Sequence, residues 1–191
     1  FYDGFGKYIQ TKKEAENSQQ IVIDIYYDNN SRILKQSNPY LITSFENYSS
    51  PNETIKPIKY AYDALDRIVN ITNPDGTSKN MTYSRWNITI HDENGNRKDY
   101  EINSYSKIIR VMEYNNGVIY TTTYNYDEVD NLISIKDSKN NIINFTYDTL
   151  GRKLILNDPD LGNWTYSYDN TGNLIQQNDS KGNNLTISYD E

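Results

Sequence analysis

Phe145-Thr146-Tyr147-Asp148-Thr149-Leu150-Gly151-Arg152-Lys153-Leu154-Ile155-Leu156 reads as strand, turn, strand. Phe145 to Tyr147 alternates apolar and polar residues, which is the pattern of a half-buried strand. Asp148 then opens a turn, because its carboxylate can accept from a backbone N–H two residues on, and Gly151 tolerates the positive φ that closes it. A type I turn followed by a left-handed glycine is a common three-residue hairpin loop. From Arg152 to Leu156 the alternation resumes. It ends at a second turn, Asp158-Pro159-Asp160-Leu161-Gly162, and Trp164-Thr165-Tyr166-Ser167-Tyr168 begins the next strand.

The unit repeats. Tyr126-Asp127, Tyr147-Asp148, Tyr168-Asp169 and Tyr189-Asp190 are 21 residues apart, and Tyr62-Asp63 and Tyr83-Ser84 keep the same step. Looser copies start at Tyr2-Asp3, Tyr27-Asp28 and Ile102-Asn103, so nine phases cover the chain. The second turn holds its phase as well. From Asn73, Asp92, Asp137, Asp158 and Asp179 to the next Tyr83, Ile102, Tyr147, Tyr168 and Tyr189 is always ten residues.

A strand slipped by one residue would present its apolar side to water, so parity gives the faces. One face collects Trp164/Tyr166/Tyr168, Phe145/Tyr147, Leu185/Ile187/Tyr189 and Ile23/Ile25/Tyr27. The return strands add Val69/Ile71, Ile109/Val111, Ile133/Ile135 and Leu154/Leu156. The other face collects Thr146, Thr165, Ser167 and Thr186. These readings give an all-β fold of tandem antiparallel β-hairpins with a period of about 21 residues, one face aromatic and one wet. Stacking is expected to bury the aromatic face as a continuous core. The chain is read as a single array over 1–191, interrupted between Tyr27 and Tyr62 by a step 14 residues longer than the repeat. The excess falls in 38–57, which holds Pro39, Pro51 and Pro57, and reads as a surface loop, an extra hairpin or a partner-binding loop.

Tyr147-Asp148-Thr149-Leu150-Gly151-Arg152-Lys153-Leu154 resembles the signature of the YD repeat of Rhs proteins. Tyr168-Asp169-Asn170-Thr171-Gly172-Asn173-Leu174-Ile175 and Tyr2-Asp3-Gly4-Phe5-Gly6-Lys7 repeat it, and Asp158 to Asp169 is similar to the segment between repeats of those proteins. The resemblance implies a β-strand array curving or spiralling into a shell. Such a shell encloses a toxic domain in Rhs and insecticidal toxin-complex proteins, and forms part of an adhesive ectodomain in teneurins. The core-closing segment with autoproteolytic aspartates is not among these residues, nor is a variable toxin domain, so encapsulation is not assigned.

Composition narrows function. Nineteen Tyr accompany 4 Phe, 2 Trp, 1 His and no Cys. Zero cysteines exclude disulfides, thiolate nucleophiles and Cys-ligated metals. A net charge of −7 disfavours nucleic acid or an anionic membrane as partner, and no apolar run is long enough to cross a membrane as a helix. The lone His91 opens a turn at Asp92-Glu93-Asn94-Gly95 and has no nucleophile elbow to serve. No phosphate loop or dinucleotide fingerprint occurs. The chain is therefore expected not to be an enzyme and to need no cofactor. Asp158-x-Asp160-x-x-Asn163 and Asp92-x-Asn94-x-Asn96 space oxygens as calcium loops do, but neither has the distal Glu, so turn chemistry is the simpler reading.

Asn-x-Ser/Thr occurs at Asn29, Asn47, Asn52, Asn70, Asn80, Asn87, Asn144, Asn163, Asn178 and Asn184, where 27 Asn and 30 Ser plus Thr would give about four by chance. Six of them (Asn70, Asn80, Asn144, Asn163, Asn178, Asn184) have the parity of the wet face. A wet face rich in Asn and Thr also generates such pairs unaided. If they carry N-linked glycans, the protein lies outside the cell, and the lack of cysteine favours a prokaryotic surface. With Phe1 in place of an initiator Met, the chain reads as a processed or excised piece. The expected role is a non-enzymatic extracellular structural or adhesive β-repeat module of a larger YD-repeat protein. Its partners would be the rest of that chain or other copies of itself, with cell-surface glycans or proteins beyond. Two alternatives remain: a filament subunit joined end to end by β-strand addition, and a carbohydrate-binding surface module built on the tyrosines.

Overall fold

The computed structural model describes residues 1–43 and 47–190. Among them are seventeen β-strands and no helix. Two compact units carry them: Phe1–Tyr83 with Thr89–Arg97, and Ser84–Ile88 with the chain from Lys98 onward. In the first unit β1 (Gln10–Ala15) pairs with β2 (Gln19–Tyr27), and β2 with β3 (Ile33–Ser37). β4 (Tyr40–Ile42) returns to β2, while β3 continues to β5 (Pro57–Tyr62), β6 (Ile68–Thr72) and β7 (Ser78–Ser84). β8 (Asn87–His91) is shared between the units. The second unit runs β9 (Arg97–Ile102), β10 (Ile108–Asn115), β11 (Val118–Tyr126), β12 (Leu132–Lys136), β13 (Ile142–Tyr147), β14 (Lys153–Asp158), β15 (Gly162–Tyr168), β16 (Leu174–Asn178) and β17 (Asn184–Thr186). Neighbours in this row of nine pair antiparallel, eight pairings in all.

The turns are built as their sequence demands. The Asp148 N–H donates to the Arg152 carbonyl at 2.9 Å, and the Gly151 N–H to the Asp148 carbonyl at 3.0 Å. Gly151 sits at φ 76°. This is a type I turn closed by a left-handed residue. The same two bonds recur at Asp28, Asp63, Asp127 and Asp169, and also at the second turns of Asp92, Asp137 and Asp179. The left-handed position is taken by Asp66, Asp130 and Asn140 as readily as by glycine, because a short polar side chain lowers the cost there. Beside each of these Tyr-Asp turns the ladder slips by one residue: Thr146 faces Ile155 but Tyr147 faces Lys153, a bulge repeated at Tyr27, Tyr62, Tyr126 and Tyr168, while the registers across the Asp137 and Asp179 turns are continuous.

Parity places the faces as expected. Phe145, Tyr147, Trp164, Tyr166 and Tyr168 are half-buried, whereas Thr146, Thr165 and Ser167 are exposed. The depth of burial differs from expectation. Val22 is the one fully buried apolar side chain among the described residues, and Leu154, Ile133 and Leu185 of the stripe are exposed. Within each unit, strands contact the strands they pair with along their edges, and among the described residues no second layer lies over the stripe. A ring covered only by its in-sheet neighbours loses roughly half its surface to them, worth about 2 kcal/mol. Stability here is a sum of such lateral contacts and of the hydrogen bonds between repeats.

The 38–57 insertion contains a strand. β4 pairs with β2 through Gln20↔Ile42, Ile21↔Leu41 and Val22↔Tyr40. The chain beyond it is fastened to β1 by hydrogen bonds. Gln10 Nε2 donates to the Ser49 carbonyl at 2.8 Å and to Asp24 Oδ1 at 2.7 Å, while the Ser49 N–H donates to Gln10 Oε1. The Tyr40 hydroxyl donates to Asp24 Oδ2 at 2.7 Å. Gln10 (0% exposed), Val22 and Asp24 (2%) are thereby buried, although their parity is that of the wet face. Residues 44–46 of the insertion lie outside the described residues.

Candidate functional site

A set of side chains recurs at the junction between repeats and defines what the motif residues do. Asp148 Oδ1 accepts from the Leu150 and Arg152 N–H groups at 2.9 Å, and Oδ2 accepts from Arg152 Nε at 2.6 Å. The Arg152 guanidinium then reaches the next repeat, donating from Nη1 to the Asp169 carbonyl and lying 5.0 Å over the Tyr168 ring. Tyr168 returns the contact, its hydroxyl donating to the Lys153 carbonyl at 2.9 Å. Tyrosine, aspartate and arginine of the motif thus serve one purpose: Asp shapes the turn, Arg holds Asp, and the following Tyr ties down both the guanidinium and the start of the return strand.

The pattern holds along both units. The hydroxyls of Tyr27, Tyr62, Tyr83, Tyr126, Tyr147 and Tyr189 donate to the carbonyls of Tyr8, Ile33, Ile68, Ile108, Leu132 and Leu174. Lys7, Arg32, Arg67 and Lys107 sit over Tyr27, Tyr62, Tyr83 and Tyr126, each contact worth about 0.5–1 kcal/mol at an exposed site. Where the sixth motif position is Asn131 or Asn173, its amide donates to the Asp carboxylate in place of the guanidinium.

These contacts set the acidity of the turn aspartates. Hydrogen bonds from the Arg152 backbone and side chain hold Asp148 below the usual carboxylate range, and the Asn131 amide does the same for Asp127. Donation from the Thr171 hydroxyl, joined by Asn173, brings Asp169 down to about 2. The carboxylates are ionised and consumed by structure. In the other direction, burial and the hydrogen bond to Asp24 push Tyr40 up to about 12.

The residues singled out for calcium are used the same way. Asp92 Oδ1 accepts from the Asn94 and Asn96 N–H groups and Oδ2 from Asn96 Nδ2; Asp158 Oδ1 accepts from the Asp160 and Leu161 N–H groups. Among the described residues no group of three His, Asp or Glu side chains gathers. His91 ends β8, immediately before the Asp92 turn.

The ten Asn-x-Ser/Thr asparagines lie on three kinds of ground. Asn29, Asn47, Asn52 and Asn87 are exposed in turns, in the insertion or at a strand start. Asn80, Asn144, Asn163 and Asn184 are exposed on strands. Asn70 and Asn178 are half-buried: Asn70 Nδ2 donates to Asn80 Oδ1 at 2.8 Å, and Asn178 Nδ2 to Thr165 Oγ1 at 3.1 Å. The strand asparagines form cross-strand rows. Asn125, Ser134, Asn144, Asn157 and Asn163 stand directly opposite one another across β11 to β15, and Asn178 stands opposite Asn184. At Asn52 the Thr54 hydroxyl donates to the amide oxygen at 2.7 Å.

The role of the position four residues after Asp was not read from the sequence, although its signal is there. Asp is followed at that distance by Arg32, Arg67, Asn96, Asn131, Asn141, Arg152, Asn173 and Asn183, all side chains with N–H donors.

No family model matches the chain, and no curated protein matches it in sequence. Solved structures match it in fold. The crystal structure of TcdB2-TccC3 without its hypervariable C-terminal region aligns over 100% of this chain at TM-score 0.83 and 17% identity. That of TcdB2-TccC3-Cdc42 aligns at 0.83 and 18%, and the Photorhabdus luminescens Tc holotoxin pore at 0.81 and 16%. In each case the chain spans 12% of the length of its match. The hairpin array and the motif positions described above agree with the YD-repeat resemblance of the sequence; at these identities the likeness is one of fold.

Proposed function

We propose that this chain is a non-catalytic structural module of a longer YD-repeat protein that works outside the cell. The observation that carries the reading is the clamp between repeats. Motif side chains of catalytic type, the carboxylates and guanidinia, are spent on joining each hairpin to the next. The turn carboxylates are acidic rather than poised near neutrality, whereas a general base needs the opposite. A wall of such hairpins is suited to enclosing or displaying something else, as fits a segment spanning 12% of the chain it matches in the Tc holotoxin pore.

The exposed asparagines support N-linked glycans on the wet face. Direct neighbours across a strand pair are about 5 Å apart, so Asn70 with Asn80, and Asn178 with Asn184, would each accommodate one glycan. Intact mass of the native protein tests this. Excess mass in hexose-like increments supports the extracellular reading, whereas the bare polypeptide mass removes the glycans. Negative-stain images of the same material separate a slice of a hollow particle from a filament joined end to end. Carbohydrate binding draws support from the incompletely covered aromatic stripe, and sugar-array binding that drops in Trp164→Ala would establish it.

A further inference from the structure

Two motif turns carry an aspartate in their left-handed position. Tyr62-Asp63-Ala64-Leu65-Asp66 and Tyr126-Asp127-Glu128-Val129-Asp130 match position by position, with Asp66 at φ 62° and Asp130 at φ 68°. The first shows what the arrangement holds. The Arg32 guanidinium of the preceding repeat lies 4.6 Å over the Tyr62 ring, and its Nη1 meets the Asp66 carboxylate at 2.5 Å and the Asp63 carbonyl at 3.5 Å. Ring face, carbonyl and carboxylate together receive one planar cation. At the second turn the preceding repeat supplies Lys107 instead. Its ammonium stands 5.9 Å from the Tyr126 centroid, at the outer limit of such a contact. Among the described residues no hydrogen bond or ion pair joins that ammonium to Asp130 or to the Asp127 carbonyl, and none reaches the Asp130 carboxylate from elsewhere.

The second turn borders a cavity of about 520 Å³, within the range of small-ligand sites. Tyr126, Asp127 and Asp130 line it together with Glu128 and the exposed Tyr105, whereas Lys107 does not. Arg110, the cation in the lining, is already paired with Glu101 at 3.0 Å. The excess of carboxylates favours a positive ligand. Among the described residues no three acidic side chains converge as a metal ion would need. We propose that the Tyr126–Asp130 turn binds a guanidinium group, carried by a small guanidino compound or by an arginine side chain of a peptide. The guanidinium stacks on the Tyr126 ring and donates to the Asp130 carboxylate and the Asp127 carbonyl, as Arg32 does at the Tyr62 turn. An ammonium is a point charge with no plane to stack and no fork to span two acceptors, so the site discriminates between the two cations. Glu128 and Tyr105 border the space left for the rest of the ligand.

The probes are butylguanidinium, butylammonium and the peptide acetyl-Gly-Arg-Gly-amide, titrated into the protein while the Tyr126 ring and the Asp127 amide are followed by NMR. Charged groups open to solvent bind weakly, so a Kd on the order of 1–10 mM is expected for butylguanidinium. Butylammonium should bind at least about fivefold more weakly. Asp130→Asn should weaken butylguanidinium about tenfold, and the left-handed position accepts asparagine, as Asn140 at φ 69° shows. Lys107→Arg supplies the guanidinium from within the chain. It should abolish binding of the probe while raising the urea midpoint, a result that misfolding cannot imitate. Tighter binding of the peptide than of butylguanidinium assigns the site to arginine side chains; equal or weaker binding assigns it to small guanidino compounds. The proposal is overturned by a butylguanidinium Kd above about 100 mM or by equal binding of the two cations. Unchanged affinity in Asp130→Asn, or a Lys107→Arg variant that binds as wild type does, overturns it as well.

Discussion

The Tyr147 hydroxyl donates to the Leu132 carbonyl at 2.8 Å, across fifteen residues of sequence and from one repeat into the one before it. Alongside the backbone ladder between β12 and β13, this bond and its equivalents tie neighbouring hairpins together. Tyr147→Phe keeps the ring and deletes the bond, so it should cost about 1 kcal/mol. Tyr168→Phe deletes the equivalent bond to the Lys153 carbonyl while keeping a ring under the Arg152 guanidinium, so it should cost about the same. Urea unfolding of both variants and of the double variant measures this. Coupling beyond additivity is expected, since the two tyrosines bracket one hairpin.

Gly162 is held for two reasons, of which Gly172, at φ 95°, shares only the first. Its φ is 76°, and a Cβ there would lie 2.4 Å from Ser180 Cβ. That side chain cannot simply turn aside, because its hydroxyl donates to the Leu161 carbonyl at 2.7 Å. Gly172→Ala meets open space and should cost only the left-handed backbone term, about 1–2 kcal/mol. Gly162→Ala should lose roughly twice that, read as a larger fall in urea midpoint.

The repeat, the turns and the two faces were legible in sequence because each is set by local chemistry: alternation fixes a strand face, and Asp with a left-handed residue fixes a turn. What escaped was tertiary. Gln10 and Asp24 have wet-face parity, and nothing local says that Ser49 and Tyr40 return to cover them. β4 has three residues after Pro39, too few for alternation to register. The expected continuous core failed on Leu154 and Ile133 because each is the extra residue of the bulge beside Tyr147 or Tyr126, where the alternation is interrupted. Burial on a single-layer sheet depends on what covers it, which strand pattern does not encode.

The insertion should behave as a latch on β1 and β2. Gln10→Ala removes three hydrogen bonds with Ser49 and one to Asp24, leaving a buried carboxylate short of a donor. A loss of about 1–3 kcal/mol follows. Backbone amides of Gln20 to Val22 should gain hydrogen-exchange rate in this variant, while those of Thr146 and Tyr147 should not.

Acid sensitivity should follow the turn aspartates. Their acidity is raised on folding, so they contribute stability that is complete above the ordinary carboxylate value near 4. It is lost as pH falls toward about 2, where Asp169 takes up its proton. Asn103 shows a turn that needs no charge: its Oδ1 accepts from the Tyr105 and Lys107 N–H groups at 3.0 Å. Asp148→Asn should therefore keep the hairpin and weaken the acid dependence, whereas Asp148→Ala should lose the turn at every pH.

At the alkaline end the governing group is Tyr40, pushed up to about 12 by burial and by the negative charge of Asp24, to which it donates. A hydroxyl that is harder to ionise when folded stabilises the fold fully below the ordinary tyrosine value near 10. That contribution disappears as pH rises from there through 12, because a tyrosinate would face a buried carboxylate with no proton between them. Unfolding followed by circular dichroism should thus steepen above pH 10, with tyrosinate absorbance rising in step as the insertion lets go. Tyr40→Phe should be less stable at neutral pH, since Asp24 Oδ2 loses its donor, and should lack the steepening contributed by this group. A steepening that persists unchanged in Tyr40→Phe would assign the alkaline transition to other tyrosines and refute the latch.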